Sequence, residues 1–281
     1  MTTASSTSPT SAPFIHPSAF VDREAILEEG VRVGPMCVIV GKVHLKKNVQ
    51  LVNSCTFHGP LTIGENTIVY PYATLGLPPQ DYKFKPGDAT AGVSIGSDCI
   101  IREGVTVHSA SKPERPTTIG NRVFMMANSH AGHDALVGDN CILVNGALLA
   151  GHTTLQNNVT MSGGTMLQQF CRIGRMAFLS GGVAMAVDLP PFCISGSRNT
   201  VSGLNVVGLR RAGIPRDDIS ALRAAFRDAF QVRLPKQEMI AILRDQAAGC
   251  SLVGELADFI ETSKKPVAIY RDLGESVSEL A

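Results

Sequence analysis

The sequence predicts a solenoid of short parallel strands, a parallel β-helix, followed by a small α-helical domain. Three observations predict it. An apolar residue recurs at every sixth position, with interruptions, as far as Met185. A second register, four residues after the first, holds small or β-branched side chains. After Pro190-Pro191 the six-residue period stops, and from Ile214 a helical period takes over.

The first register runs Ile15, Val21, Leu27, Val33, Ile39, Leu45, Leu51, Phe57, Ile63, Val69, Leu75. It resumes at Ile95, Ile101 and Val107, misses at Pro113, and continues from Ile119 through Leu143, Leu155 and Ile173 to Met185. A helix repeats at about 3.6 residues and a strand at about 2, so neither sustains a period of six. The second register includes Ala19, Cys37, Val49, Thr67, Val105, Ala135, Ala147 and Ala177, with Leu61 the one bulky member. Cys37, Cys55, Cys99, Cys141 and Cys171 fall on it, which makes them small interior hydrophobes. No paired CxxC spacing points to a metal.

Each six-residue unit is one strand and one corner. Three units close a triangular coil, and coils stack with strands about 4.8 Å apart, roughly eight to ten of them here. The expected organisation is a disordered tail at 1–13, the β-helix at 14–196 with a loop insertion at 76–94, and the helical domain at 197–281.

Bulk properties agree. Hydrophobic residues are 44% of the 281, enough for a sizeable core. Trp is absent and aromatics are 5%, so that core is aliphatic. A net charge of +1 offers nothing to a nucleic acid. No apolar run is long enough to span a membrane. The Ser/Thr/Pro-rich start lacks the basic and apolar parts of a signal peptide. The expectation is a cytoplasmic protein whose seven cysteines are reduced thiols.

Two segments break the register. Gly76–Ser94 is Pro/Gly-rich and carries Gln80, Asp81, Tyr82, Lys83 and Lys85, a loop of the kind that bears function. Ser109–Thr117 reads as a plain surface excursion. In the helical domain, Ile214-Pro215 followed by Asp217 and Asp218 marks a helix start. Ile219, Leu222, Ala225, Phe226 and Phe230 form its apolar stripe. Further helices are expected over Lys236–Ala248 and Leu252–Lys264. Arg210, Arg211, Arg216, Arg223, Arg227, Arg233 and Lys236 outnumber the acids there, as a solvated face or as a dock for an acidic partner.

The densest polar cluster is Asn128-Ser129-His130-Ala131-Gly132-His133-Asp134. Taken alone it admits a metal site, an acid/base site or coincidence. Stacking narrows this: one coil after His133 stands Gly151, followed by His152, and Gln169 lies one coil further. A base beside a glycine with a reachable N–H is what acyl transfer needs, one to take a hydroxyl proton and one to meet an oxyanion.

These residues resemble the UDP-N-acetylglucosamine O-acyltransferases that begin lipid A synthesis, a hexapeptide-repeat family. The carriers are Asn128–Asp134, Leu149-Ala150-Gly151-His152, Gln169-Phe170-Cys171, Asp188-Leu189-Pro190-Pro191, Gly203-Leu204-Asn205, Gly208-Leu209-Arg210-Arg211 and the loop Gln80–Lys83. The resemblance implies a left-handed β-helix, a homotrimer with sites between subunits, and no metal or other cofactor. It implies transfer of a 3-hydroxyacyl chain from acyl carrier protein to the sugar 3-hydroxyl. His133 becomes the general base, Gly151 N–H the oxyanion donor, and Asp134 a partner that orients the base or touches the sugar. Asp81, His130, His152 and Gln169 would bind the sugar nucleotide. Lys83, Asn205 and Arg211 would hold nucleotide or phosphate. Gly181 and Arg198 fall in the acyl-chain region.

The chain departs from the family at Gln168, where a His is common, and around Ser197-Arg198-Asn199, where one residue is missing. An amide at 168 cannot titrate, and the second change leaves chain length open. Rival readings are a non-catalytic binding or scaffold relative, an acyltransferase acting on a UDP-2,3-diamino sugar, the N-acyltransferase acting later in the same pathway, and a zinc carbonic anhydrase using His130, His133 and His152. The later N-acyltransferase carries an extra uridine-binding domain, for which hexads starting at Ile15 leave no space.

Overall fold

The computed structural model describes residues 12–232 and 234–271. The expected tail lies outside them up to residue 11, as does Arg233; Ala12 and Pro13 are exposed.

The parallel β-helix is present. Strands of two or three residues form three sheets of 11, 9 and 8 strands. The first sheet runs from Phe14–Ile15 to Cys193–Ser195, the second from Phe20–Val21 to Ala184–Met185, and the third from Ile26–Leu27 to Arg172–Ile173. Phe124 pairs in parallel with Ile142, His130 with Leu148 and Leu136 with Thr154, so a coil without an insertion takes 18 residues. The last strand of the first sheet, Gly203–Leu204, is antiparallel; the other ten mark ten coils.

Both registers point inward. Val33, Ile39 and Leu45 from the first, and Cys37, Val49 and Ala135 from the second, have no exposed surface. Each buried aliphatic side chain contributes about 1.5–3 kcal/mol. Leu61 is buried too, stacked between Val43 and Val93. All seven cysteines are buried and unpaired. Ile15 is the departure, 43% exposed, because the first coil has no coil on its outer side.

The corners need left-handed backbone. Where the third sheet turns into the first, Asn48, Asn66, Asn140 and Asn158 take φ near +60°, a region asparagine tolerates. Their side chains continue the stack, Asn48 donating to Asn66 at 3.1 Å and Asn66 to Asp98 at 3.0 Å.

The chain then forms helices α1 (Val206–Arg211), α2 (Arg216–Phe230), α3 (Lys236–Gln246) and α4 (Ser251–Thr262). The last three match the expected helices to within two residues, and the whole stripe from Ile219 to Phe230 is buried. Helix α1 was not foreseen, being too short to show a stripe. The region is not purely helical either: Ile269–Tyr270 pairs in parallel with Thr200–Val201. Arg175 grips Glu255 with two nitrogens, the closer at 2.7 Å, and Arg172 donates to the Phe259 carbonyl at 2.8 Å. These contacts fix α4 to the last coils. Among the described residues, no helix is long and apolar enough to cross a membrane.

Candidate active site

His133, Gly151 and Gln169 occupy the same corner position in three consecutive coils, where the second sheet turns into the third. The residues that follow them, Asp134, His152 and Phe170, adopt φ of +61°, +60° and +64°. The same left-handed turn recurs at corners along the solenoid, and here it carries an acid, an imidazole and a phenyl ring in successive coils.

His133 Nδ1 lies 2.7 Å from Asp134 Oδ2, and both residues are only 5% exposed. A carboxylate only accepts, so Nδ1 carries the proton and Nε2 presents its lone pair. The ring lies against Gly151: a Cβ there would sit 2.7 Å from Cε1 and from Nε2. The Gly151 N–H has no acceptor among the described residues. The Gly163 and Gly181 N–H groups, at the same position of another edge, likewise have no acceptor among the described residues, so the coil geometry supplies such donors and His133 singles this one out.

Around the pair, His152 meets His133 edge-on at 5.0 Å between ring centres and stacks on Phe170 at 4.7 Å. Burial lowers the His152 pKa, Asp134 opposes this, and repulsion from the neighbouring His133 imidazole, Lys112 and Arg115 adds to the lowering. Burial pushes the Asp134 carboxyl up, but hydrogen bonds from His133 and Ser111 outweigh it and hold it below the usual range. His130 lies one strand earlier, bonded through Nδ1 to Thr106 Oγ1 at 2.7 Å and edge-on to His108.

His133, Asp134 and His152 bring donor atoms within 4.8 Å of one another. Two tetrahedral zinc ligands stand about 3.3 Å apart given metal–nitrogen bonds of about 2.0–2.1 Å. The 2.7 Å contact between His133 and Asp134 is therefore that of a hydrogen bond, not of two ligands. The other histidine of the zinc reading, His130, is not part of this cluster.

Both insertions leave the solenoid at this edge. Ser109 Oγ donates to the Gly76 carbonyl at 2.7 Å, and His108 Nδ1 meets the Pro78 carbonyl at 2.8 Å. Within the first loop Asp81 accepts the Lys83 N–H at 2.9 Å, while Tyr82 is fully exposed. Reading Ser109–Thr117 as a plain excursion is corrected. Ser111 binds the Asp134 carboxylate, Arg115 donates to the Asp134 carbonyl at 3.1 Å, and Thr117 Oγ1 accepts the Asp134 N–H at 2.8 Å.

The remaining expected residues lie elsewhere on the chain. Asn205 caps α1, accepting the Gly208 N–H at 2.9 Å and donating to the Met176 carbonyl at 2.9 Å. Met176 belongs to the edge between third and first sheets, and Arg211 ends α1. Gly181 belongs to the edge between first and second sheets, and the exposed Arg198 lies in the turn between Cys193–Ser195 of the first sheet and Thr200–Val201. Gln169 is exposed beside Gly151's coil, next to Gln168. Residues 188–268 match the family model described as UDP-N-acetylglucosamine O-acyltransferase, domain 2. The chain is 36% identical over 248 residues to the acyl-[acyl-carrier-protein]–UDP-N-acetylglucosamine O-acyltransferase of Sinorhizobium fredii, covering 88% of this chain and 91% of that one. To the enzyme of the same name from Aliarcobacter butzleri it is 34% identical over 259 residues, 92% and 98% of the two chains. The crystal structure of Francisella novicida UDP-N-acetylglucosamine acyltransferase superposes with a TM-score of 0.88 at 30% identity, over 92% and 94%. With such identity over nearly its full length, the chain is an acyltransferase and belongs to the acyl-[acyl-carrier-protein]–UDP-N-acetylglucosamine O-acyltransferase family.

Proposed function

We propose that this chain transfers a 3-hydroxyacyl group from acyl carrier protein to the 3-hydroxyl of UDP-N-acetylglucosamine, the first step of lipid A biosynthesis, as a cytoplasmic homotrimer. The observation that carries the mechanism is His133: its Nδ1 is held by Asp134 at 2.7 Å and its ring lies against Gly151.

The sugar hydroxyl attacks the thioester carbonyl while His133 Nε2 takes its proton. Charge moves to the carbonyl oxygen, which the free Gly151 N–H receives. Collapse breaks the carbon–sulfur bond. The proton on Nε2 leaves with the pantetheine sulfur, and the imidazole is neutral again. Asp134 keeps the tautomer and stabilises the imidazolium formed in passing.

His152, with its lowered pKa, stays neutral and offers a hydrogen bond to the sugar. His130 and Gln169 flank it on the same face, and Asp81 and Lys83 reach from the loop rooted at this edge. Asn205 has one amide hydrogen and one lone pair left for the nucleotide, beside Arg211 for phosphate. Gly181 and Arg198 bound the acyl-chain region. A trimer brings edges of neighbouring subunits together, which is how Asn205 and Arg211 would meet His133.

The test is turnover of UDP-N-acetylglucosamine with 3-hydroxyacyl carrier proteins of several lengths, wild type beside His133→Ala. Loss of about 10³-fold or more in kcat by a folded variant is expected. Undiminished turnover in the variant sinks the base assignment. Turnover only with a UDP-2,3-diamino sugar would move the acceptor assignment.

A further inference from the structure

The insertion Ser109–Thr117 closes on Asp134 from both ends. Ser111 Oγ donates to Asp134 Oδ2 at 2.7 Å, and that oxygen also accepts from His133 Nδ1 at 2.7 Å. The Ser111 N–H lies 3.2 Å from each carboxylate oxygen. Arg115 and Thr117 meanwhile hold the Asp134 backbone, which sits at φ +61°. The terminal torsion of a carboxylate is broad, so His133 alone would not fix its plane. Two donors from Ser111 do.

We propose that Ser111 is a positioning residue for the transfer: its hydroxyl and N–H fix the Asp134 carboxylate, and through it the tautomer and aim of His133. This rests on the reading of His133 as base. The arrangement is a chain of hydrogen bonds, Ser111 to Asp134 and His133 to Asp134, with no proton passed along it. The titratable and charged groups facing it are His133 itself, His152, whose Nε2 is 3.6 Å from Asp134 Oδ2, Lys112 and Arg115 of the insertion, and His130 beyond His133. Because Ser111 shares the carboxylate's charge, its hydroxyl also limits how strongly Asp134 favours the imidazolium.

The experiment compares full-length Ser111→Ala, Ser111→Thr and His133→Ala, measuring kcat, KM for the sugar nucleotide and the pH dependence of kcat/KM. Ser111→Ala is expected to lose roughly ten- to a hundredfold in kcat, the scale seen when the hydrogen-bond partner behind a metal-bound imidazole is removed, with KM within about twofold. Its acid limb moves to higher pH, because a carboxylate relieved of one donor holds the imidazolium more tightly. Ser111→Thr restores both. Wild-type kcat and an unmoved limb in Ser111→Ala, beside an inactive His133→Ala, overturn this inference and leave the base in place. A kcat loss with an unmoved limb that Thr does not restore overturns it equally, since that is a folding role alone. Full turnover by His133→Ala removes the base reading itself.

Discussion

At the residue scale the site depends on what is missing at position 151. Gly151 is not among the residues with positive φ, so its backbone accepts alanine. Its Cβ position, however, lies 2.7 Å from two atoms of the His133 ring. Gly151→Ala must therefore displace the imidazole, and kcat is expected to fall about a hundredfold or more while cooperative thermal unfolding persists. Unchanged kcat would mean the ring is not held where the transfer needs it. His130 makes a different prediction. Burial first, then repulsion from the neighbouring imidazoles of His108 and His133, pushes its pKa down to about 4 from 6.5. Between those values the unfolded chain binds a proton that the folded one refuses. Stability is fully present above pH 6.5 and is lost as pH falls towards 4. After discounting its partial exposure this amounts to about 2 kcal/mol. An NMR titration should place His130 near 4, and His130→Gln should flatten the stability–pH curve across that window. A titration near 6.5 would refute it.

At the element scale, legibility followed period. The hexad register spans coil after coil, so the solenoid, its inward faces and its first long insertion could be read from sequence. The pairing of His133 with Gly151 could be read for the same reason, since an 18-residue coil brings them together. The short second insertion shows little sign of its role in the sequence, because its residues are polar and lack any period. Its phase held the clue: Ser109 follows Val107 at the same corner position by which His133 follows Ala131, and those two strands pair. Helix α1 escaped for want of length, and the closing strand Ile269–Tyr270 because two residues carry no pattern. The arginines were legible only as a count, and the fold gives them a place. Arg210, Arg216 and Arg223 line one cleft between α1 and α2 with Ile214, Ile219 and Ser220. Arg216→Glu with Arg223→Glu should raise KM for the acyl carrier protein about tenfold or more, an effect that shrinks in about 0.5 M salt. Transfer from a short pantetheine thioester should be unaffected. Equal loss with both donors would place these arginines in folding or in sugar binding instead.

At the scale of the whole molecule, the triangular prism separates groups that the proposed reaction needs together. His133 and Gly151 belong to the edge between the second and third sheets. Asn205 is tied to Met176 on the edge between the third and first, and α1 carries Arg211 onward from there. One prism cannot turn two of its own edges toward the same small ligand, whereas a cyclic trimer presents one edge of each subunit to another edge of its neighbour. A site shared in this way has a consequence for mixed assemblies. On the proposed trimeric site, His133→Ala and Arg211→Ala subunits are each expected to be inactive or nearly so in their own assemblies. When equal amounts are unfolded together and refolded, a site regains both groups if an Arg211→Ala subunit supplies the base and a His133→Ala subunit supplies the arginine. Each condition holds half the time, so about a quarter of wild-type turnover should return. Mixing the two folded trimers without subunit exchange should return none. If instead one chain supplies both groups, no mixture recovers, because every subunit carries one of the two lesions, and the site would have to be rebuilt on a single edge.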